Sequence, residues 1–132
     1  MTSLPTELAL LGWSVVLLVA QIMLQGRLAT QERGLDWNAG PRDGEAKPLG
    51  EKAGRAARSL ANFQETYPAF VALALGLAVS GRTGGIGEAG AILWFVARIV
   101  YVPLYLFGVR YVRSLAWAAS MLGLLLMLIR FL

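Results

Sequence analysis

From Leu8 to Leu24 (LALLGWSVVLLVAQIML) the chain carries no charged residue. That run constrains everything after it, because a helix needs roughly 20 mostly apolar residues to cross the hydrocarbon core of a bilayer. Three further apolar stretches follow, and spans are expected at about 6–26, 54–80, 88–108 and 113–132. The leading residues of the first span carry Glu7 and no Lys or Arg, unlike the basic start of a signal peptide, so it is read as a retained crossing. Hydrophobic residues make up 57% of the 132 and charged residues 15%, too apolar a mixture for so short a soluble chain to cover with polar surface. The expected fold is an all-α integral membrane protein, a four-transmembrane-helix bundle forming a single membrane domain over 1–132.

The second span is the least ordinary. Its purely apolar part, Tyr67 to Val79, is too short to cross at about 1.5 Å per residue. The helix must extend back through Ala61, Ala57 and Ala56, carrying Arg58, Asn62 and Glu65 near or into the membrane. Lipid cannot satisfy such groups, so they are expected to face other helices. The third span contains Arg98, and Arg130 near the end of the fourth can snorkel to the interface.

Net charge is +4, but basic residues beside apolar segments speak for topology and anionic lipid rather than nucleic acid. Arg27, Arg33, Arg42, Lys47, Lys52, Arg55 and Arg58 cluster between spans one and two, and Arg110 and Arg113 lie between spans three and four. Only Arg82 sits between spans two and three. Both termini are therefore expected away from the cytoplasm, with the loop of about 27–53 inside. That loop is long and rich in glycine and charge, with Pro41 and Pro48, and long loops tend to be functional or mobile. The chain has no cysteine and no histidine. Disulfides, thiol nucleophiles, the usual zinc sites and the commonest general base are thereby excluded, and no metal site is expected. A thiol, if one is used, must arrive with a ligand.

Arg55, Arg58, Asn62 and Glu65 are spaced three, four and three apart, which puts them on one face of one helix. Trp94, Arg98, Tyr101 and Tyr105 repeat the arrangement on the third helix. Pro68 and Pro103 each remove one helical hydrogen bond close to these seams. Two readings remain open. In the first, Glu65 and Arg98 pair across helices, offsetting a mid-bilayer cost of about 2.5–3.5 kcal/mol per charge, and the tyrosines anchor the packing. In the second, the seam binds a polar, multiply charged ligand, its arginines matching carboxylates and Glu65 holding an ammonium. The second accounts for the larger number of polar groups. The remaining features have plainer readings. Trp13, Trp94 and Trp117 suit interface belts or packing, and Gly76, Gly108 and Gly123 suit close helix contacts.

The run Arg55-x-x-Arg58-x-x-x-Asn62-x-x-Glu65-x-x-Pro68-x-Phe70 resembles the second-helix signature of the MAPEG family, the membrane-associated proteins of eicosanoid and glutathione metabolism. Arg98-Ile99-Val100-Tyr101-x-x-x-Tyr105 resembles the family's third-helix pattern, and Arg113-Ser114 resembles an Arg-Ser pair of its prostaglandin E synthase branch. The resemblance covers nearly the whole chain. It implies a MAPEG-like homotrimer of four-helix subunits with glutathione, the cosubstrate, bound between neighbours. By that analogy Arg27, Arg55, Arg58, Asn62, Glu65, Arg98, Tyr101 and Tyr105 would hold glutathione. Arg113 or Arg110 would stabilise its thiolate. The expected activity is that of a membrane glutathione transferase or peroxidase acting on lipophilic electrophiles. Its partners are expected to be its own copies, membrane lipid and the electrophile, with no nucleic acid. Two rivals stand beside it: a non-catalytic glutathione- or lipid-binding protein on the same scaffold, and a small multidrug transporter using Glu65. A cation exporter would not be expected to surround its carboxylate with Arg58 and Arg98, whereas an anionic tripeptide site would.

Overall fold

The computed structural model describes residues 3–132; the first two residues of the expected 1–132 domain lie outside the described residues. Among the described residues there are five helices and no strand: α1 (Thr6–Arg33), α2 (Leu35–Ala39), α3 (Glu51–Val79), α4 (Gly85–Leu106) and α5 (Arg110–Phe131). Four of the five are long, and α2 is a five-residue helix inside the segment read as loop. α1 outlasts the apolar run that defined it, because Gln25, Arg27, Leu28, Ala29 and Gln31 are good helix formers, and Gly34 at φ 91° then stops it. α1, α4 and α5 are long and apolar enough to cross a membrane. α3 is the longest helix at 29 residues, about 43 Å at the standard rise, but its first half carries Lys52, Arg55, Arg58, Asn62 and Glu65. Both α3 and α4 continue through their prolines, Pro68 and Pro103.

The core is built where α3, α4 and α5 meet: Phe63, Phe70, Ala74 and Leu77 from α3, Ala91 and Trp94 from α4, and Met127 from α5, all fully buried. Trp94 stacks on Phe70 at 3.8 Å between ring centroids and 8° between planes, with Tyr67 parallel to it at 6.1 Å. Trp94 is thus a packing residue, and the polar seam on α4 narrows to Arg98, Tyr101 and Tyr105. α4 and α5 pack backbone to backbone at a glycine pair. A Cβ added to Gly123 would lie 2.5 Å from the Gly90 carbonyl oxygen and 2.7 Å from the Trp94 nitrogen. Without a strong hydrophobic force between helices in lipid, such close approach is what gains dispersion energy.

α1 is turned inside out relative to a soluble helix. Its buried residues are Glu7, Ser14, Gln21 and Ala29, while Trp13, Val15, Val16, Val19, Ile22 and Met23 are exposed. Against lipid this arrangement gives Glu7 and Ser14 partners that hydrocarbon would not offer, while Gln21 Oε1 is buried without one. Ser14 Oγ and Tyr67 Oη lie 2.9 Å apart, joining α1 to α3. At the end of the fold where α1 begins, Glu7 Oε1 accepts from the Gly84 N–H at 2.7 Å, Thr6 Oγ1 donates to Glu88 Oε1 at 2.9 Å, and Arg130 Nε donates to the Arg82 carbonyl at 2.9 Å. Arg82 in turn donates to the Phe131 carbonyl. At the opposite end, Arg33 Nε donates to the Lys47 carbonyl at 2.7 Å and Glu32 Oε2 accepts from the Gly50 N–H at 2.6 Å, strapping the segment before α3 to the end of α1.

Candidate functional site

The opposite end of α3, α4 and α5 encloses a cleft of about 440 Å³, open on one side and lined by Arg58, Ala61, Asn62, Glu65, Tyr101, Tyr105, Arg113, Ser114 and Trp117. That volume lies in the range of small-molecule sites. Each wall is one helix face. Arg58, Ala61, Asn62 and Glu65 recur at helical spacing on α3, Tyr101 and Tyr105 are one turn apart on α4, and Arg113 and Trp117 are one turn apart on α5.

Within this cleft the side chains brace one another. Arg58 Nε donates to Tyr105 Oη at 3.2 Å, and the Arg113 guanidinium lies 4.6 Å from the centroid of the same ring. Tyr105 therefore stands between two cations, and both contacts favour the ring face or its oxygen. Tyr101 packs against Tyr105 at 5.6 Å. Glu65 is exposed and has no ion-pair or hydrogen-bond partner among the described residues. The cleft thus presents two guanidiniums, one carboxylate, one amide and two phenols. Such a set complements a ligand that carries both carboxylates and an ammonium.

Four other residues singled out from the sequence stand off the cleft wall. Arg98 is buried at 1% exposure; its Nη1 donates to Asn62 Oδ1 at 2.9 Å and its guanidinium lies 4.4 Å over the Tyr101 ring. The anticipated pairing of Glu65 with Arg98 does not form: the only ion pair among the described residues is Arg55–Glu51 at 2.8 Å. Glu65 points to the opening of the seam while Arg98 sits behind it, and Asn62, one turn earlier on α3, takes the arginine instead. Arg55 also donates Nη1 to the Leu106 carbonyl at 3.2 Å and lies against Gly108, where a Cβ would come within 2.9 Å of Nη2. It ties α3 to the α4–α5 turn. Arg27 and Arg110 are exposed, and neither has a side-chain hydrogen bond or ion pair among the described residues.

Ala61, Ser114 and Trp117 enter the cleft without having been singled out as site residues. Two of them carried a signal in the sequence: Ala61 lies one turn before Glu65, and Trp117 one turn after Arg113, on the same helix faces. Reading Trp117 as an interface belt overlooked that spacing.

Apolar helices exposed along their length, with a polar cleft at one end, define a multi-pass helical membrane protein. The model of the MAPEG family matches residues 10–132, nearly the whole chain, and the chain belongs to that family. At the family level it is a membrane protein of glutathione or eicosanoid metabolism. Comparison with curated proteins and with solved structures found no match.

Proposed function

We propose that this protein is a membrane glutathione transferase or peroxidase that activates the thiol of bound glutathione for attack on lipophilic electrophiles. The observation that carries the reading is the composition of one cleft: Arg58, Asn62, Glu65, Tyr101, Tyr105 and Arg113 line it together. Glutathione has two carboxylates, one ammonium, two amides and a thiol. In this reading Arg58 meets a carboxylate, Glu65 meets the ammonium, and Asn62 and the two phenols meet the amides. Arg113 is assigned to the thiolate in preference to Arg110, because Arg113 borders the cleft and is braced by Tyr105 whereas Arg110 is exposed.

The chemistry asks little more of the protein. A free thiol has a pKa of about 8.5 and is only a few per cent ionised at neutral pH. Lowering that value by ~2 units requires about 2.7 kcal/mol of preferential thiolate stabilisation. One close guanidinium supplies an interaction of that size where the bound ligand excludes water, and the positive end of α5, which begins at Arg110, adds to it. The thiolate then attacks an electrophilic carbon, a carbon–sulfur bond forms, and the leaving group departs with its electron pair. In the peroxidase variant the thiolate attacks a peroxide oxygen, the O–O bond breaks, and a second glutathione completes the disulfide. The electrophile reaches the cleft from the lipid.

The same reading includes α3 as a fourth crossing, a single membrane domain, both termini away from the cytoplasm, and a homotrimer that binds glutathione between neighbouring subunits, with Arg27 and Arg55 as further contacts. The cleft sets two arginines, Arg58 and Arg113, against its one carboxylate, which favours an anionic ligand over an exported cation.

Titration of the detergent-solubilised protein with glutathione, followed at the ultraviolet thiolate band near neutral pH, tests the proposal. A saturable band that Arg113→Ala abolishes is the expected result. Saturable binding without the band would make the protein a glutathione-binding scaffold without activation. Absence of binding would remove glutathione altogether.

A further inference from the structure

We infer that Arg98 is a positioning residue for the cleft: it holds the side-chain amide of Asn62 so that both amide N–H groups are presented to the ligand. The inference rests on the reading of the cleft as a glutathione site. Arg98 is 1% exposed and forms no part of the cleft wall, whereas Asn62 is half-buried and does. The link between them is the bond from Arg98 Nη1 to Asn62 Oδ1, at 2.9 Å. A guanidinium has donors only, and an asparagine amide has a donor end and an acceptor end. The end facing Arg98 must therefore be the oxygen, since the flipped amide would set donor against donor. The guanidinium is itself confined, lying 4.4 Å over the Tyr101 ring and 5.5 Å from the Phe63 ring. Phe63 is fully buried, so it has little room to yield.

The consequence is a fixed hydrogen-bond polarity along α3. Position 62 offers two neutral donors, and the carboxylate of Glu65, three residues on, offers only acceptors. A ligand carbonyl or carboxylate oxygen is selected at the first and an ammonium or hydroxyl at the second. An aspartate at position 62 would still accept from Arg98 but would have no donor left for the cleft. Arg98 thus sets the specificity of the wall from behind it.

Two measurements on the detergent-solubilised full chain test this: glutathione affinity by titration calorimetry, and the thermal midpoint. Arg98→Met is expected to weaken binding about tenfold, the size of one hydrogen bond of this kind, and Arg98→Gln, which keeps an N–H donor, to recover part of the loss. The Arg98→Met effect should vanish in an Asn62→Ala background. Asn62→Asp should bind as poorly as Asn62→Ala yet keep or raise the thermal midpoint, and that gain should disappear when Arg98→Met is added. If Arg98→Met does not fold, Arg98→Gln and Asn62→Asp carry the same comparison. Equal loss from Arg98→Met in both backgrounds would mean that Arg98 acts through Tyr101, which it covers at 4.4 Å, or on the ligand itself, and would overturn the inference. So would Asn62→Asp binding normally, or losing the same midpoint with and without Arg98. Should the unsubstituted protein bind no glutathione, the proposed ligand falls, and the midpoint coupling between positions 62 and 98 still decides whether Arg98 holds the amide oxygen.

Discussion

Where α1 begins and α3 turns into α4, polar side chains are tied to the chain itself. Glu7 takes the Gly84 N–H, Thr6 donates to Glu88, and Arg82 and Arg130 donate to backbone carbonyls. At the other end, Glu65 and Arg113 have no ion pair or hydrogen bond among the described residues, Arg58 holds only a phenol, and all three line a cleft. The two ends share α4 and α5 and use the same charged residue types, although α1 and the α3–α4 turn complete the tied end. What separates them is partnership: charges satisfied within the fold hold helices together, while charges arranged around a space and left without partners are available to a ligand.

Substitutions that act on one end and spare the other test that contrast. The largest expected effect is on chemistry. Arg113→Ala should lower turnover by about a hundredfold, the usual cost of removing one donor to a developing anion, while glutathione affinity changes little; steady-state kinetics beside calorimetry checks the split. Next comes stability at the tied end. Glu7 is buried at 1% exposure, and Glu7→Ala leaves the Gly84 N–H without its carboxylate. A loss of about 1.5–3 kcal/mol is expected, read as a lower thermal midpoint at unchanged affinity per folded molecule. An affinity change as large as that of a cleft variant would break the division between ends. Smaller again, Arg58→Ala should weaken glutathione binding about tenfold with the thermal midpoint nearly unchanged, because the side chain is exposed and its one hydrogen bond is to Tyr105. Arg110→Ala should alter neither turnover nor midpoint; a loss of turnover matching that of Arg113→Ala would reassign the thiolate contact.

Much of the candidate site was legible before any coordinate, because its spacing is local. Arg58, Asn62 and Glu65 share a face as soon as α3 is a helix, and Tyr101 and Tyr105 do so on α4; nothing beyond helical periodicity is required. The depth and partner of Arg98 were not legible. On the sequence its natural partner was the carboxylate of Glu65, since opposite charges attract over the longest range. Packing decided otherwise. The registry of α4 against α3, set by the stack of Trp94 on Phe70 and by the glycine contact of α4 with α5, brings Arg98 opposite Asn62 and leaves Glu65 at the opening. Trp94 shows the same limit: it shares the period of Arg98, yet shape complementarity with Phe70 makes it core.

That the chain crosses membranes follows from its residues alone, because apolar length against bilayer thickness is a property of short segments. Its motifs also carried the family, since the residues that define it repeat at helical intervals within single helices. Which arginines border the cleft depends on how the helices pack. Arg55 is held by Glu51 and Leu106, Arg98 lies beneath Asn62, Arg110 is outside, and Arg58 and Arg113 come together across Tyr105. The physical reason is that a helix fixes the angular order of its own side chains, whereas the meeting of two helices is fixed by their relative rotation and depth. Those are set by the sum of many buried contacts, such as Trp94 on Phe70 and Gly90 on Gly123, and no single spacing in the sequence records that sum.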